Sequence, residues 1–304
     1  MKEIITEWRR YITERVKPSE FYPPEFDKFL ELIREHENDL WVFFDTETTG
    51  LFYKEKHVQV TQIACVTYNV QGMTEGQKPS KVDQLDVKVE LGQDTLDMIS
   101  QQDKEIEAGT FTDNKSIRDL LKMNQYYDGE GQAVPMESAI KKFDSFLTNM
   151  REQSPSGNIV IIAQNSPFDV GVINTAYERL GLEIPDDELW DTKGALELYL
   201  APIIRMIHED PQASETDRKL SNALMKTSAK GGTYVATALG IVTSAFDIEN
   251  KGWHNALADV QMTMNMLFSV VNYVKEKQGT YQVDTTKTRR FNATAGDPYS
   301  SSRR

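Results

Sequence analysis

The chain has 304 residues, 39% hydrophobic and 27% charged, the balance of a water-soluble globular protein with material for one large domain or two modest ones. A formal net charge of −13 excludes a protein that holds nucleic acid by its whole surface, and no apolar run approaches the roughly 20 residues that cross a bilayer. The charged N-terminal stretch MKEIITEWRRYITERVKP is not a secretory signal, and the one cysteine, Cys65, lies inside an apolar run, so a reduced thiol and a cytoplasmic location are expected.

In chain order, the first forty residues read as a helical extension. ITEWRRYITERV places Ile5, Trp8, Ile12 and Val16 at steps of three and four, and PEFDKFLELIREHE begins a second helix at a proline. From Trp41 the pattern changes to strands: LWVFFDTE, VQVTQIACVTYNV and the near-alternating KVDQLDVKVEL. Residues 92–132 are polar, with helical pieces such as SIRDLLKMNQYY, and read as an insertion over the core. MESAIKKFDSFLTNMR is an amphipathic helix, NIVIIAQN a strand of the type buried on both faces, and SPFDVGVINTAYERLGL a helix. ELWDT reads as a short strand leading into KGALELYLAPII; residues 208–230 read as a loop or second insertion. TYVATALGI and WHNALADVQMTMNMLFSVVNYV close the folded part as helices. The expected organisation is an extension over 1–40, a core over 41–277 and a tail over 278–304. The fold class is α/β, a sheet with helices on both faces. The tail is expected to be disordered; Lys287, Arg289, Arg290, Arg303 and Arg304 outnumber Asp284 and Asp297 there.

Three places concentrate acids. In WVFFDTETTGL an apolar strand runs into Asp45 and Glu47, which the two-residue period of a strand points to the same side. The second buried strand runs into QNSPFD, with Asn165 and Asp169; on local grounds Ser166–Pro167 starts a helix and Asp169 belongs to its cap. In WHNALAD, His254 and Asp259 are five apart, about 140° around an unbroken helix. They converge only if His254 precedes the helix, with Asn255 as its cap. Four carboxylates facing one crevice repel one another. Oxygen-only, acid-rich sites of this kind are resolved by Mg²⁺ or Mn²⁺, and two such ions about 4 Å apart stabilise both oxygens of an in-line phosphoryl displacement.

FDTETTGL, NSPFD and HNALAD, in this order and at these spacings, resemble the three exonuclease motifs of the DEDD superfamily, and a histidine five before the last acid resembles its DEDDh branch. The resemblance spans about residues 40–275, with WDT and TYVATALGI as further similar segments. It implies an RNase H-like mixed sheet flanked by helices and a 3′→5′ exonuclease that releases nucleoside monophosphates from single-stranded or frayed DNA. It further implies that Asp45 bridges two Mg²⁺ or Mn²⁺ ions, that Glu47 and Asp259 complete the first site, that Asp169 holds the second ion, and that His254 is the general base.

Thr46, Thr48, Thr49, Leu51, Asn165 and Phe168 are then placed to hold or stack the terminal nucleotide. RNA is the alternative substrate, decided by contacts to the 2′-hydroxyl. A proofreading or accessory subunit that docks a replication protein through residues 1–40 or the tail is the alternative of another class; no membrane partner is expected.

Overall fold

The computed structural model describes residues 26–50, 55, 58–113, 115–127, 132–182, 187–229, 231–249 and 254–278. The helix expected at residues 5–16, the tail beyond 278, Leu51 and His57 lie outside the described residues.

Five strands form one mixed sheet: β1 (Leu40–Thr48), β2 (Val60–Asn69), β3 (Ser80–Lys88), β4 (Ile159–Ala163) and β5 (Glu188–Asp191), in the order β3-β2-β1-β4-β5. β2 runs antiparallel to β1 and β3 antiparallel to β2, whereas β4 is parallel to β1 and β5 parallel to β4. This order and these directions are those of an RNase H-like fold.

β1 explains its own sequence. It is the central strand, so both its faces must be apolar. Trp41 and Phe43 enter one core, beneath helices α1 (Phe26–Glu35) and α10 (Ala256–Gln278). Leu40, Val42 and Phe44 enter the other, beneath α4 (Met136–Gln153) and α5 (Ser166–Leu180). Trp41 meets Trp190 edge-on at 5.0 Å between ring centroids, tying β1 to β5 on the first face. The alternation continues past the apolar run. Asp45 and Glu47 therefore fall on the parity of Trp41 and Phe43, toward α10, and Thr46 on the parity of Phe44, toward α5. Beyond Thr48 the chain turns at Gly50, where a Cβ would approach Val58 Cγ2 to 3.1 Å.

The segment after β3 holds two helices, α2 (Gln93–Glu107) and α3 (Ile117–Met123), which share a small core of Ile99, Ile117 and Leu121. After β5, α6 (Thr192–Ala195) continues through a π-helical turn (Leu196–Leu200) into α7 (Ala201–Glu209). Two expectations are corrected downstream. The polar stretch read as a loop contains α8 (Glu215–Leu224), and TYVATALGI is not helical throughout. Its Thr233–Val235 is strand β7, paired with β6 (Met225–Thr227), and only from Leu239 does α9 (Leu239–Ala245) begin.

The reason α8 looked like a loop is that its inner face carries polar residues. Asp217 is 4% exposed and accepts from Lys277 Nζ, Tyr273 Oη and Ser214 Oγ at 2.8–2.9 Å. Lys277, at the end of α10, is itself only 5% exposed. This pair fastens α10, the helix that carries Asp259, against α8. Asp217→Ala removes the buried partner of the ammonium, leaving it Glu276 Oε1 at 2.8 Å, and is expected to cost about 2 kcal/mol, read as a lowered denaturant midpoint with unchanged slope.

Candidate active site

The acids meet at the carboxyl end of β1. Carboxylate oxygens of Asp45, Glu47 and Asp259 lie within 4.8 Å of one another. Asp259 reaches them from the first turn of α10. That helix starts at Ala256, after His254 in a left-handed conformation (φ +66°) and after Asn255, whose Oδ1 accepts from Ala258 N at 3.4 Å. The kink lets the His254 backbone N–H donate to the Asp259 carboxylate and leaves the imidazole exposed at the rim. His254 thereby meets Asp259 through its backbone, a contact an unbroken helix would forbid.

Asp169 arrives from the opposite face of the sheet. The local cap expected of it is displaced by a tertiary contact: its Oδ1 accepts from Thr46 N at 2.9 Å and from Thr46 Oγ1 at 2.7 Å. Thr46 points toward α5 because of its strand parity, so one residue of β1 anchors Asp169 while its two neighbours face Asp259.

The electrostatics are those of excess negative charge. Burial pushes the Asp45 carboxyl well up from its ordinary value, reinforced by the charges of Asp169, Glu47 and Asp259. Burial, with Asp259 and Asp169, pushes Glu47 up to about 8. Asp169 rises to about 7 through burial, against the hydrogen bonds from Thr46. Asp259 also rises to about 7 through burial, opposed by the His254 N–H and reinforced by Asp169. Asp259 Oδ1 is buried and has no hydrogen-bond partner among the described residues. An orphaned carboxylate oxygen beside two more carboxylates fits a hard divalent cation, which takes oxygen ligands and cancels the repulsion.

Thr46, Thr48 and Thr49 are buried, and their hydroxyls are engaged inside the protein: with Asp169, with Gly50 O at 2.7 Å and with Gln59 N at 3.0 Å. They shape the loop beside the acids. Asn165 is exposed and left-handed (φ +62°), and its Oδ1 accepts from Lys193 Nζ at 3.3 Å. Phe168 is half-buried and packs on the second core.

Two positioning residues escaped the sequence reading. Gln62, directly opposite Glu47 on β2, is 3% exposed; it donates to Asp86 and its Oε1 accepts from Ala256 N, steadying the start of α10. Asp191, at the end of β5, accepts from Asn165 N at 2.8 Å and Ser166 N at 3.3 Å, holding the entry to α5. The signal for Gln62 was a long amide side chain in a strand buried on both faces; for Asp191 it was an acid ending a third strand on the same sheet edge.

With a five-stranded mixed sheet of this order, acids gathered at one end of its central strand and a match to a 3′-5′ exoribonuclease family over 41–226, the chain is a DnaQ-like 3′-5′ exonuclease, a phosphodiester hydrolase. Residues 41–226 match the family model of the 3′-5′ exoribonuclease Rv2179c-like domain, and the chain belongs to that family. Over 130 residues it is 38% identical to DNA polymerase III PolC-type of Listeria welshimeri, covering 41% of this chain and 8% of that protein. The same enzyme of Listeria monocytogenes is 29% identical over 130 residues. The chain thus spans less than a tenth of the length of these curated relatives. Among solved structures, E. coli Exonuclease I in complex with a dT13 oligonucleotide is similar at 14% identity and a TM-score of 0.45, covering 80% of this chain and 43% of that one. No described helix is long and apolar enough to cross a membrane.

Proposed function

We propose that the chain hydrolyses single-stranded or frayed DNA from the 3′ end to nucleoside monophosphates, in a metal-dependent reaction with His254 as general base. The observation that carries this reading is the set of three carboxylates within 4.8 Å, one with a buried and unpartnered oxygen. Asp45, Glu47 and Asp259 would hold one Mg²⁺ or Mn²⁺ and Asp45 with Asp169 a second. When bound, such ions neutralise the acids and supply Lewis-acid stabilisation of the attacking and leaving oxygens.

The chain's own part is orientation and proton transfer. Gln62 and Thr46 fix the acids through the start of α10 and through Asp169. Burial, and then the charge of Lys115, hold the His254 imidazolium below its ordinary pKa, so the neutral ring is present at physiological pH. It takes the proton of the water that attacks phosphorus; the P–O3′ bond breaks, the leaving O3′ takes a proton from solvent, and the shortened strand ends in a 3′-hydroxyl.

The 38% identity to a DNA polymerase III supports DNA and a replication setting, with residues 1–40 or the basic stretch 278–304 as docking elements. The family's description as an exoribonuclease supports a second reading, in which RNA is the substrate. The test is digestion of 5′- and 3′-labelled DNA and RNA oligonucleotides, single- and double-stranded, with Mg²⁺, Mn²⁺ or EDTA. The expected result is 3′→5′ shortening of single-stranded DNA that EDTA abolishes. Undiminished cleavage in EDTA, or shortening from the 5′ end, refutes it; faster digestion of matched RNA selects the second reading.

A further inference from the structure

The segment between β3 and β4 is fastened to the rim of the site. Asn124, which follows α3 and is 7% exposed, donates from Nδ2 to Thr48 O at 3.3 Å, one residue past Glu47. Gln59 grips the other end of the segment, accepting from Gly92 N at 2.7 Å and Thr95 Oγ1 at 2.9 Å. The Ser116 capping box fixes where α3 begins: Ser116 and Asp119 bind each other's backbone N–H groups. The residue immediately before this cap is Lys115.

Its side chain runs back along α3, because Nζ lies 3.0 Å from Met123 Sδ. Met123 is the neighbour of Asn124, so the ammonium sits at the end of α3 that touches β1. A thioether is a weak acceptor, and Lys115 makes no salt bridge to a carboxylate among the described residues. Arg118, the next cation on α3, is by contrast spent on Asp103 at 2.8 Å.

Which part of a substrate Lys115 meets follows from where it sits. Its contact with Met123 places it beside the strand end that Asn124 touches, just past Glu47. It is exposed there, whereas Asp45 and Glu47 are half-buried and Asp259 is buried, so it lies outside the acids. Its charge reaches His254 and, on α3, Asp119. A polyanion approaching a chain of net charge −13 needs such a local cation, and lysine serves phosphate as a compact point charge.

Resting on the exonuclease reading above, we propose that Lys115 binds a phosphodiester of the nucleic-acid strand upstream of the one being cut, making the α2–α3 segment a wall of the substrate channel. Such a residue acts on binding of long substrates and, with turnover read at pH 8, where the His254 ring is neutral with or without the Lys115 charge, not on the chemical step.

The test compares wild type, Lys115→Met and Lys115→Arg in the full chain. One substrate is a single-stranded oligonucleotide and the other a nucleoside 5′-p-nitrophenyl phosphate, which has one phosphodiester and nothing upstream. For the oligonucleotide, Lys115→Met is expected to raise KM about tenfold, the effect of about 1.4 kcal/mol, with kcat within about twofold. The slope of log(kcat/KM) against log salt should flatten by about 0.7, the loss of one phosphate contact on a single strand. Turnover of the small substrate should stay within about twofold, and Lys115→Arg should restore most of the oligonucleotide KM. An unchanged KM and salt slope overturn the proposal, as do equal losses on both substrates, which place Lys115 at the reacting phosphate. If the wild type turns over neither substrate, the exonuclease reading itself has failed and the proposal falls with it; a failure confined to Lys115 leaves wild-type turnover intact.

Discussion

Asp45→Asn is expected to abolish nuclease activity and, at the same time, to stabilise the metal-free protein at alkaline pH. Both effects have one cause. The site gathers carboxylates that burial and mutual repulsion hold protonated: Glu47 to about 8 and Asp169 and Asp259 to about 7, with Asp45 also well raised. In the unfolded chain these groups lose their protons near pH 4. The metal-free fold therefore binds more protons than the unfolded chain between those values. The stability tied to these groups is complete below about pH 4 and is lost as pH rises through 7 to 8.

Removing one charge relieves that repulsion. Melting of the metal-free wild type should fall from pH 5 to pH 8, and Asp45→Asn should flatten the fall. Mn²⁺ present at about 100 times its dissociation constant should stabilise the wild type by about 2.7 kcal/mol. With that ratio set at pH 8, the same Mn²⁺ concentration should stabilise less at pH 5, where the acids are protonated and the ion binds more weakly, and little in the variant. The loss of activity should exceed the roughly 10²- to 10⁴-fold that proton transfer alone supplies, because a cation ligand goes with the side chain. A variant that melts lower than wild type at pH 8 without metal, or that still digests DNA, contradicts this account.

His254→Gln is expected to lower kcat by about 10²- to 10⁴-fold while leaving Mn²⁺-dependent stabilisation intact. The imidazole is exposed and the backbone N–H that donates to Asp259 is kept in the variant, so removing the ring spares the acids. The pH profile is the sharper readout. Burial and the charge of Lys115 lower the imidazolium pKa from 6.5, so the acid limb of kcat should lie below that value in the wild type and vanish in the variant. The same limb surviving in His254→Gln assigns proton transfer to another group.

Where the sequence was read correctly, a single element carried the information. Continuous apolar residues from Leu40 to Phe44 announce a strand buried on both faces, and the period of two sets Asp45 and Glu47 on one side. The incompatibility of a five-residue spacing with helical geometry predicts that His254 precedes the helix, and its positive φ just before Ala256 is that break. Local preference failed where a partner far along the chain rewrote it. Ser214–Leu224 looks too polar to pack because its inward Asp217 has Lys277, sixty residues on, as its complement. Asp169 looks like a helix cap until Thr46, 123 residues earlier, takes its carboxylate.

The sequence by itself determined the five strands of the main sheet and most of the helices packed on it, the inventory of acids and the side of β1 on which two of them lie, since alternation and helical period are properties of short stretches. Only the tertiary structure decided that Asp169 and Asp259 approach the same strand end from opposite faces. It alone also decided that Gln62 and Asp191 hold the two helix starts in place, and that Lys115 stands at the end of α3 that is tied to β1. Those facts depend on which elements pack together. That is settled by burying two apolar faces of one sheet at once, a condition on the whole chain that no stretch of it contains.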